Sequence, residues 1–145
     1  MTHQKALIWL KVASASVLGF GIMLSLSFIL QFSFVWTPFF NMALLPTGID
    51  QMSSAPDAML TIAILGGVMT GWGVLLWQLT TKLFPNDPAL ARTLILWSVE
   101  TWFVVDSIGS VMVGAPVNVV LNLGFLVLFA IPLWRPVTEQ DRATA

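Results

Sequence analysis

The sequence contains no cysteine and a single histidine, and only 9% of its 145 residues are charged. The absence of cysteine excludes disulfide bonds, thiolate metal sites and cysteine nucleophiles. The only histidine, His3, lies close to the start of the chain, so a haem or zinc site among the apolar segments lacks its usual ligand. We therefore predict neither a metal site nor a haem.

The low fraction of charged residues also indicates the class of protein. Soluble domains are about 25% charged, whereas this chain is 57% hydrophobic and has a mean hydropathy of +0.89. Its charged residues are too few to cover a globule, so lipid must be its main solvent. The net charge is −1 and the six basic residues form no run, which excludes nucleic-acid binding.

Four apolar runs are long enough to cross a bilayer, which takes about 20 helical residues. Asp87 and Pro88 form a helix start, with the aspartate as N-cap, and Pro116 opens a further helix. We predict an all-α integral membrane protein, a four-transmembrane-helix antiparallel bundle in one domain over residues 1–145. The predicted spans cover about 7–36, 58–84, 89–113 and 117–134, followed by a polar tail at 135–145.

The segment 37–57 interrupts the helical pattern between the first and second spans. Pro38, Pro46 and Pro56 punctuate it, and helices do not continue through such spacing. It is nevertheless apolar, which favours an interfacial loop lying on the membrane surface; a lid or a partner-docking surface is the alternative. Ser54 and Asp57 have the spacing of a capping box and predict the start of the second span.

The basic residues predict the orientation. With four spans, every one of them falls on the side that holds both termini. They are Lys5, Lys11, Lys82, Arg92, Arg135 and Arg142. The positive-inside rule then places both termini in the cytoplasm, N-in and C-in, and we predict a multi-pass protein of a bacterial inner (cytoplasmic) membrane.

Two carboxyl groups, Glu100 and Asp106, fall inside the third span. A charge at that depth costs at least about 2.5–3.5 kcal/mol on insertion scales, so each should face partners or water rather than lipid. Glu100 lies about 120° around the helix from Asp106. We expect it to face the first span, at the level of Ser14 and Ser16.

Asp106 has candidate partners close by in the folded chain. Asp106 and Ser110 are four residues apart on the third span, and Asn118 and Asn122 are four apart on the fourth. Counting outward from the Gly114–Pro116 turn brings these faces to similar depth. We therefore predict a buried polar cluster of these four residues as the candidate ligand or proton site. Glu100 either belongs to the same site or lies at a separate contact with the first span.

Two pairs of residues indicate close packing near the middle of the membrane. Trp72 and Trp102 are about equally distant from the Asn86–Asp87 turn and form a predicted aromatic seam. The seam is either plain packing, with the Trp102 indole donating to Asp106, or one side of a flat pocket for a lipid or quinone-like ring next to Gly71. Gly67 and Gly71 are four apart, which favours helix packing within the chain over a homodimer face.

The function remains open between three hypotheses. No catalytic residues are predicted, because the membrane segments lack the usual nucleophile and base, and no known catalytic or phosphate-binding motif occurs. The first hypothesis is a non-catalytic accessory or assembly subunit of a larger membrane complex, or a protein that binds a lipophilic ligand. The alternatives are a proton-coupled carrier or small channel that uses Glu100 and Asp106, and a membrane enzyme on a lipophilic substrate.

Overall fold

A computed structural model describes residues 1–29, 38, 41–43, 45 and 56–134. The chain there forms four long helices. They are α1 (His3–Ile29), α2 (Pro56–Gln78), α3 (Pro88–Met112) and α4 (Pro116–Leu133). A five-residue π-helix, Leu79–Leu83, extends α2 toward the next turn.

All four helices are long and apolar enough to cross a membrane, with candidate spans at His3–Leu26, Leu60–Leu83, Pro88–Met112 and Pro116–Leu133. This confirms the predicted all-helical chain with four candidate spans. The predicted capping box at Ser54, most of the interfacial loop and the tail at 135–145 lie outside the described residues.

The starts of α3 and α4 follow the capping chemistry that the sequence predicts. Asp87 is the N-cap of α3, and its carboxylate accepts a hydrogen bond from the Leu90 backbone N–H at 3.0 Å. Pro88 and Pro116 stand at the first turns of α3 and α4, where a missing N–H costs nothing. Gly114 takes a φ of +79° in the turn before α4, a conformation that favours glycine.

Replacing Asp87 by alanine is expected to lower the free energy of unfolding by about 1 kcal/mol, because the Leu90 N–H loses its acceptor. Asp87→Asn keeps an acceptor oxygen and should retain most of that stability. Unfolding by denaturing detergent, starting from mild-detergent micelles, would measure both. Equal losses in the two variants would mean that the carboxylate charge matters and the cap does not.

Three glycines bring α1 and α2 into contact. A Cβ on Gly73 would lie 2.6 Å from the Leu18 Cα, a Cβ on Gly66 would lie 2.8 Å from the Ser25 backbone nitrogen, and one on Gly21 would meet the Thr70 backbone. The packing prediction for Gly67 and Gly71 is wrong. Both are exposed, and a Cβ on either would meet nothing within 4 Å. The packing pair is instead Gly66 and Gly73, seven residues apart on the adjoining face.

The contacts between the helices leave the side between α2 and α3 more open than the others. α1 packs along α2 and also contacts α4, and α3 packs against α4. α3 reaches the π-helix near the 84–87 turn but does not pack along the described length of α2.

The buried core gathers at the end of the molecule that holds the 84–87 turn. Its members are Ala6, Leu10, Ala13, Val17, Leu76, Phe84, Ala91, Ile95, Val99, Phe129 and Leu133. At the same end Ser14 and Thr80, both fully buried, share a hydrogen bond of 3.2 Å. The Arg92 Nε donates to the Leu133 carbonyl at 2.6 Å, which ties α3 to the C-terminal end of α4. The opposite end is more open.

Candidate functional site: a cavity lined by all four helices

A cavity of about 950 Å³ occupies the part of the molecule that the core does not fill. All four helices line it, and Val113 and Ala115 place one end at the turn before α4. Val68 of α2 and Val105 of α3 also line it, although they are 64% and 66% exposed. The cavity therefore reaches the outer surface of the molecule between α2 and α3.

Four aromatic rings, one from each helix, line the cavity and contact each other in series: Phe20, Phe125, Trp102 and Trp72. The ring centroids of Trp72 and Trp102 lie 5.5 Å apart, and those of Trp102 and Phe125 lie 6.2 Å apart with the rings nearly perpendicular. Phe20 and Phe125 are 6.1 Å apart. These are ordinary distances for favourable aromatic pairs. We call this set the aromatic floor.

The predicted pairing of Trp72 with Trp102 is present in this floor, but its polar contact differs from the expectation. The Trp72 indole N–H donates to the Ser98 hydroxyl at 2.7 Å, which links α2 to α3. Within the described part of the chain, no hydrogen bond joins Trp102 to Asp106. Gly71 does not line the cavity.

A second wall of the cavity is polar and belongs to α3 and α4. The Ser110 hydroxyl donates to the Asp106 Oδ1 at 3.2 Å, and the Asn118 amide donates to that oxygen at 3.4 Å and to the Ser110 oxygen at 2.9 Å. Both donors use Oδ1, so Asp106 Oδ2 has no hydrogen-bond partner among the described residues. We call Asp106, Ser110, Asn118 and Asn122 the polar wall, since all of them line the cavity.

Asn122 belongs to this wall but takes no part in its hydrogen bonds. It is only 6% exposed, and its Nδ2 is buried without a partner in the described residues. Its predicted proximity to Asp106 does not lead to a bond, because Asn118, one turn earlier on α4, reaches the carboxylate instead. An unpaired buried amide costs about 1–3 kcal/mol, which a ligand carrying an acceptor oxygen would recover.

Glu100 is not part of the site. It is exposed and lies outside the cavity lining. The expected neighbours are engaged elsewhere, since Ser14 bonds Thr80 and the Ser16 hydroxyl donates to the Val12 carbonyl at 2.9 Å. Asp106 faces α4 and the cavity. Glu100 lies about 120° around α3 from Asp106 and therefore points out of the molecule. Neither alternative for Glu100, a place in the polar cluster or a contact at the level of Ser14 and Ser16, is found among the described residues.

The segment between the first two spans touches the site at one described position. Ala43 is 5% exposed and lines the cavity. The other residues that would separate a surface loop from a lid lie outside the described part of the chain.

The described lining of the cavity is mostly apolar. Asp106 is the one ionisable side chain among the described lining residues, and no group of three His, Cys, Asp or Glu side chains that could hold a metal ion occurs within 1–29, 38, 41–43, 45 and 56–134. Three further lining residues, Ser98, Phe20 and Phe125, were not predicted as part of the site. Helical spacing could have indicated two of them, since Ser98 precedes Trp102 by one turn and Phe125 follows Asn122 by nearly one.

Comparison of the chain with protein-family models, with curated proteins and with solved structures found no match.

Proposed function

We propose that this protein binds a lipophilic ligand between its transmembrane helices and does not itself catalyse a reaction. The observation that carries the proposal is the cavity of about 950 Å³ that joins an aromatic floor to a polar wall. Ligand pockets of this size are typically apolar with a few convergent polar groups. In a chain with four candidate spans, such a pocket is best suited to a molecule dissolved in the bilayer.

The proposal includes the membrane arrangement expected from the sequence, a single-domain antiparallel bundle in a bacterial inner membrane with both termini cytoplasmic. Lys and Arg are absent from residues 12–81 and 93–134. The basic residues inside the candidate spans therefore lie toward the same set of helix ends; they are Lys5, Lys11, Lys82 and Arg92. That distribution supports the positive-inside orientation.

The polar wall favours an uncharged head group. Asn122 Nδ2 offers a donor and Asp106 Oδ2 an acceptor, both without partners among the described residues. A hydroxyl or amide supplies the matching acceptor and donor together, whereas a quinone-like carbonyl meets the donor alone. Neither lysine nor arginine is among the described residues that line the cavity, so a phosphate or carboxylate head would find no counter-charge there. The lining therefore favours a neutral lipid or a quinone-like ring over an anionic lipid.

The geometry favours binding over the carrier hypothesis. A carrier that uses both acids needs them on one path, whereas Asp106 lines the cavity and Glu100 is exposed beyond it. The enzyme hypothesis lacks support for a different reason, because no nucleophile–base pair occurs among the described residues that line the cavity.

Filling the cavity tests the proposal. Leu121→Trp adds bulk at a lining position of α4, whereas Leu123→Trp makes the same change two residues away, where the side chain is 48% exposed and lies outside the lining. Native mass spectrometry of protein extracted gently from its own membrane should show a bound molecule of defined mass. We expect at least a tenfold lower occupancy in Leu121→Trp and normal occupancy in Leu123→Trp.

Two results would contradict ligand binding. One is a wild-type protein without any bound molecule when it is extracted from its own membrane. The other is occupancy that falls equally in both tryptophan variants, which would place the bound molecule on the outer surface of α4 and not in the cavity.

A further inference from the structure

The polar wall and the aromatic floor lie at different depths of the cavity. On α3 and on α4, each residue of the wall is closer to the turn that joins these helices than the ring of the floor on the same helix. The separation reaches eight residues between Trp102 and Ser110, which is about 12 Å along the helix. The cavity therefore has a polar end beside the turn and an aromatic end deeper in the bundle.

The cavity occupies the half of the bundle beside that turn. Its lining begins at Ser98, near the middle of α3, and ends at Phe125, near the middle of α4. The described lysines and arginines lie toward the opposite helix ends; they are Lys5, Lys11, Lys82 and Arg92. In a bilayer, this half of the bundle stands beside one leaflet, the leaflet on the side of Gly114.

We propose that the cavity takes a neutral lipid with a hydroxyl or amide head group from the leaflet on the Gly114 side, and holds it in the orientation that it has in that leaflet. The head group contacts the polar wall, toward the membrane surface, and the apolar part contacts the aromatic floor, toward the middle of the bilayer. This inference rests on the proposed function, ligand binding in the cavity, and adds the side and the direction of the ligand.

The polar wall supplies two groups for such a head group. Asn122 lines the cavity and is only 6% exposed, and its buried Nδ2 has no acceptor among the described residues. Asp106 Oδ2 likewise has no donor in the described chain. A hydroxyl or an amide accepts from the first and donates to the second, whereas a quinone-like carbonyl accepts only.

The aromatic floor suits the apolar part of the lipid. At this level the Ser98 hydroxyl already accepts the Trp72 indole N–H at 2.7 Å, and Thr101, the other polar side chain of the lining here, is exposed. A lipid in the reverse orientation would leave Asn122 Nδ2 buried and unpaired beside its apolar part. Because an unpaired buried donor is costly, the orientation with the head group at the polar wall is favoured.

The surface opening gives a lipid of that leaflet a direct path. Val105, which lines the opening, lies between Trp102 and Asp106 in the sequence, so the opening is at the depth of the cavity itself. A lipid from the leaflet on the Gly114 side enters by moving sideways. Its head group does not cross the middle of the bilayer, where a polar group lacks hydrogen-bond partners.

Two photoreactive monoacylglycerols test the orientation, one with a diazirine at the methyl end of its acyl chain and one with a diazirine next to the ester. The full-length protein is reconstituted with each probe in phosphatidylcholine vesicles and illuminated, and the labelled residues are mapped by mass spectrometry. We expect the ratio of labelling at Trp72 to labelling at Asn118 to be at least five times higher for the chain-end probe. Comparing the same two residues with both probes removes differences in side-chain reactivity.

The outcomes separate this inference from the proposed function. Equal ratios, or a lower ratio for the chain-end probe, would overturn the orientation and leave cavity binding intact. Labelling of both residues should fall at least tenfold in Leu121→Trp and persist in Leu123→Trp; equal labelling in the two variants would place the probe outside the cavity and overturn the inference. Unlabelled lining residues, in protein that carries a bound molecule when extracted from its own membrane, would overturn the lipid class alone. Without that molecule as well, both proposals fail.

The hydroxyl group is tested by competition. Unlabelled monoacylglycerol should displace the chain-end probe from Trp72 at least five times more effectively than its dimethyl ether, which keeps the acceptor oxygens and lacks the donors. The expected difference arises because the ether leaves Asp106 Oδ2 without a donor. Equal displacement by the two compounds would overturn the assignment of a donating head group.

Discussion

Gly73→Ala is expected to lower the free energy of unfolding by about 1–3 kcal/mol, the usual cost of forcing extra atoms into a packed interface. The new methyl group would lie 2.6 Å from both the Leu18 Cα and its backbone nitrogen. Backbone atoms cannot rotate away, so α1 and α2 would have to separate. Helix association in a bilayer depends on this kind of close approach, and the effect should be large for one methyl group.

Gly71→Ala is the matched control, two residues earlier on the same helix. A Cβ at Gly71 meets nothing within 4 Å, and alanine favours the helix over glycine by up to about 1 kcal/mol. Unfolding in mild-detergent micelles with added denaturing detergent would compare the two variants. Equal stabilities would mean that α1 and α2 are not held together at Gly73.

Asn122→Leu is expected to raise the stability of the ligand-free protein by about 1–3 kcal/mol, because leucine keeps most of the volume and removes a buried donor that has no partner in the described chain. The same change should weaken ligand binding, since the amide is a proposed contact for the head group. If loss of the Asn122 amide stabilises the protein, the fold does not depend on that amide.

Asn118→Leu should have the opposite effect on stability. It lies one turn earlier on α4, and its amide bonds both Asp106 and Ser110. Its loss leaves those groups with fewer partners, so the ligand-free protein should be destabilised. Thermal unfolding of the two variants after removal of bound lipid would measure the signs. Destabilisation by both substitutions would show that Asn122 has a structural partner and would argue against its role in binding.

Structural features that depend only on residues close together in the sequence were predictable. The four apolar segments, the Asp87 cap and the proline starts of α3 and α4 depend on neighbouring residues alone, and the structure agrees with them. Asp106, Ser110 and Asn118 also come together, because a short turn fixes the relative depth of two consecutive helices.

The rotation of each helix was not predictable in the same way. In water, an apolar stripe identifies the buried side of a helix, whereas lipid tails are as apolar as a protein core. The outward position of Glu100 and the choice of Gly66 and Gly73 over Gly67 and Gly71 for packing depend on this rotation. For the same reason the sequence did not indicate that Phe20 joins the aromatic floor.

The opening between α2 and α3 offers a path to the cavity for the proposed ligand. Val68 and Val105 line the cavity and are also largely exposed, so we expect that ligand to exchange sideways with the surrounding lipid. Its occupancy then follows its mole fraction in the bilayer and not its concentration in the buffer. Fusing the membrane with vesicles of plain phospholipid would release the ligand, whereas adding any volume of buffer would leave it bound.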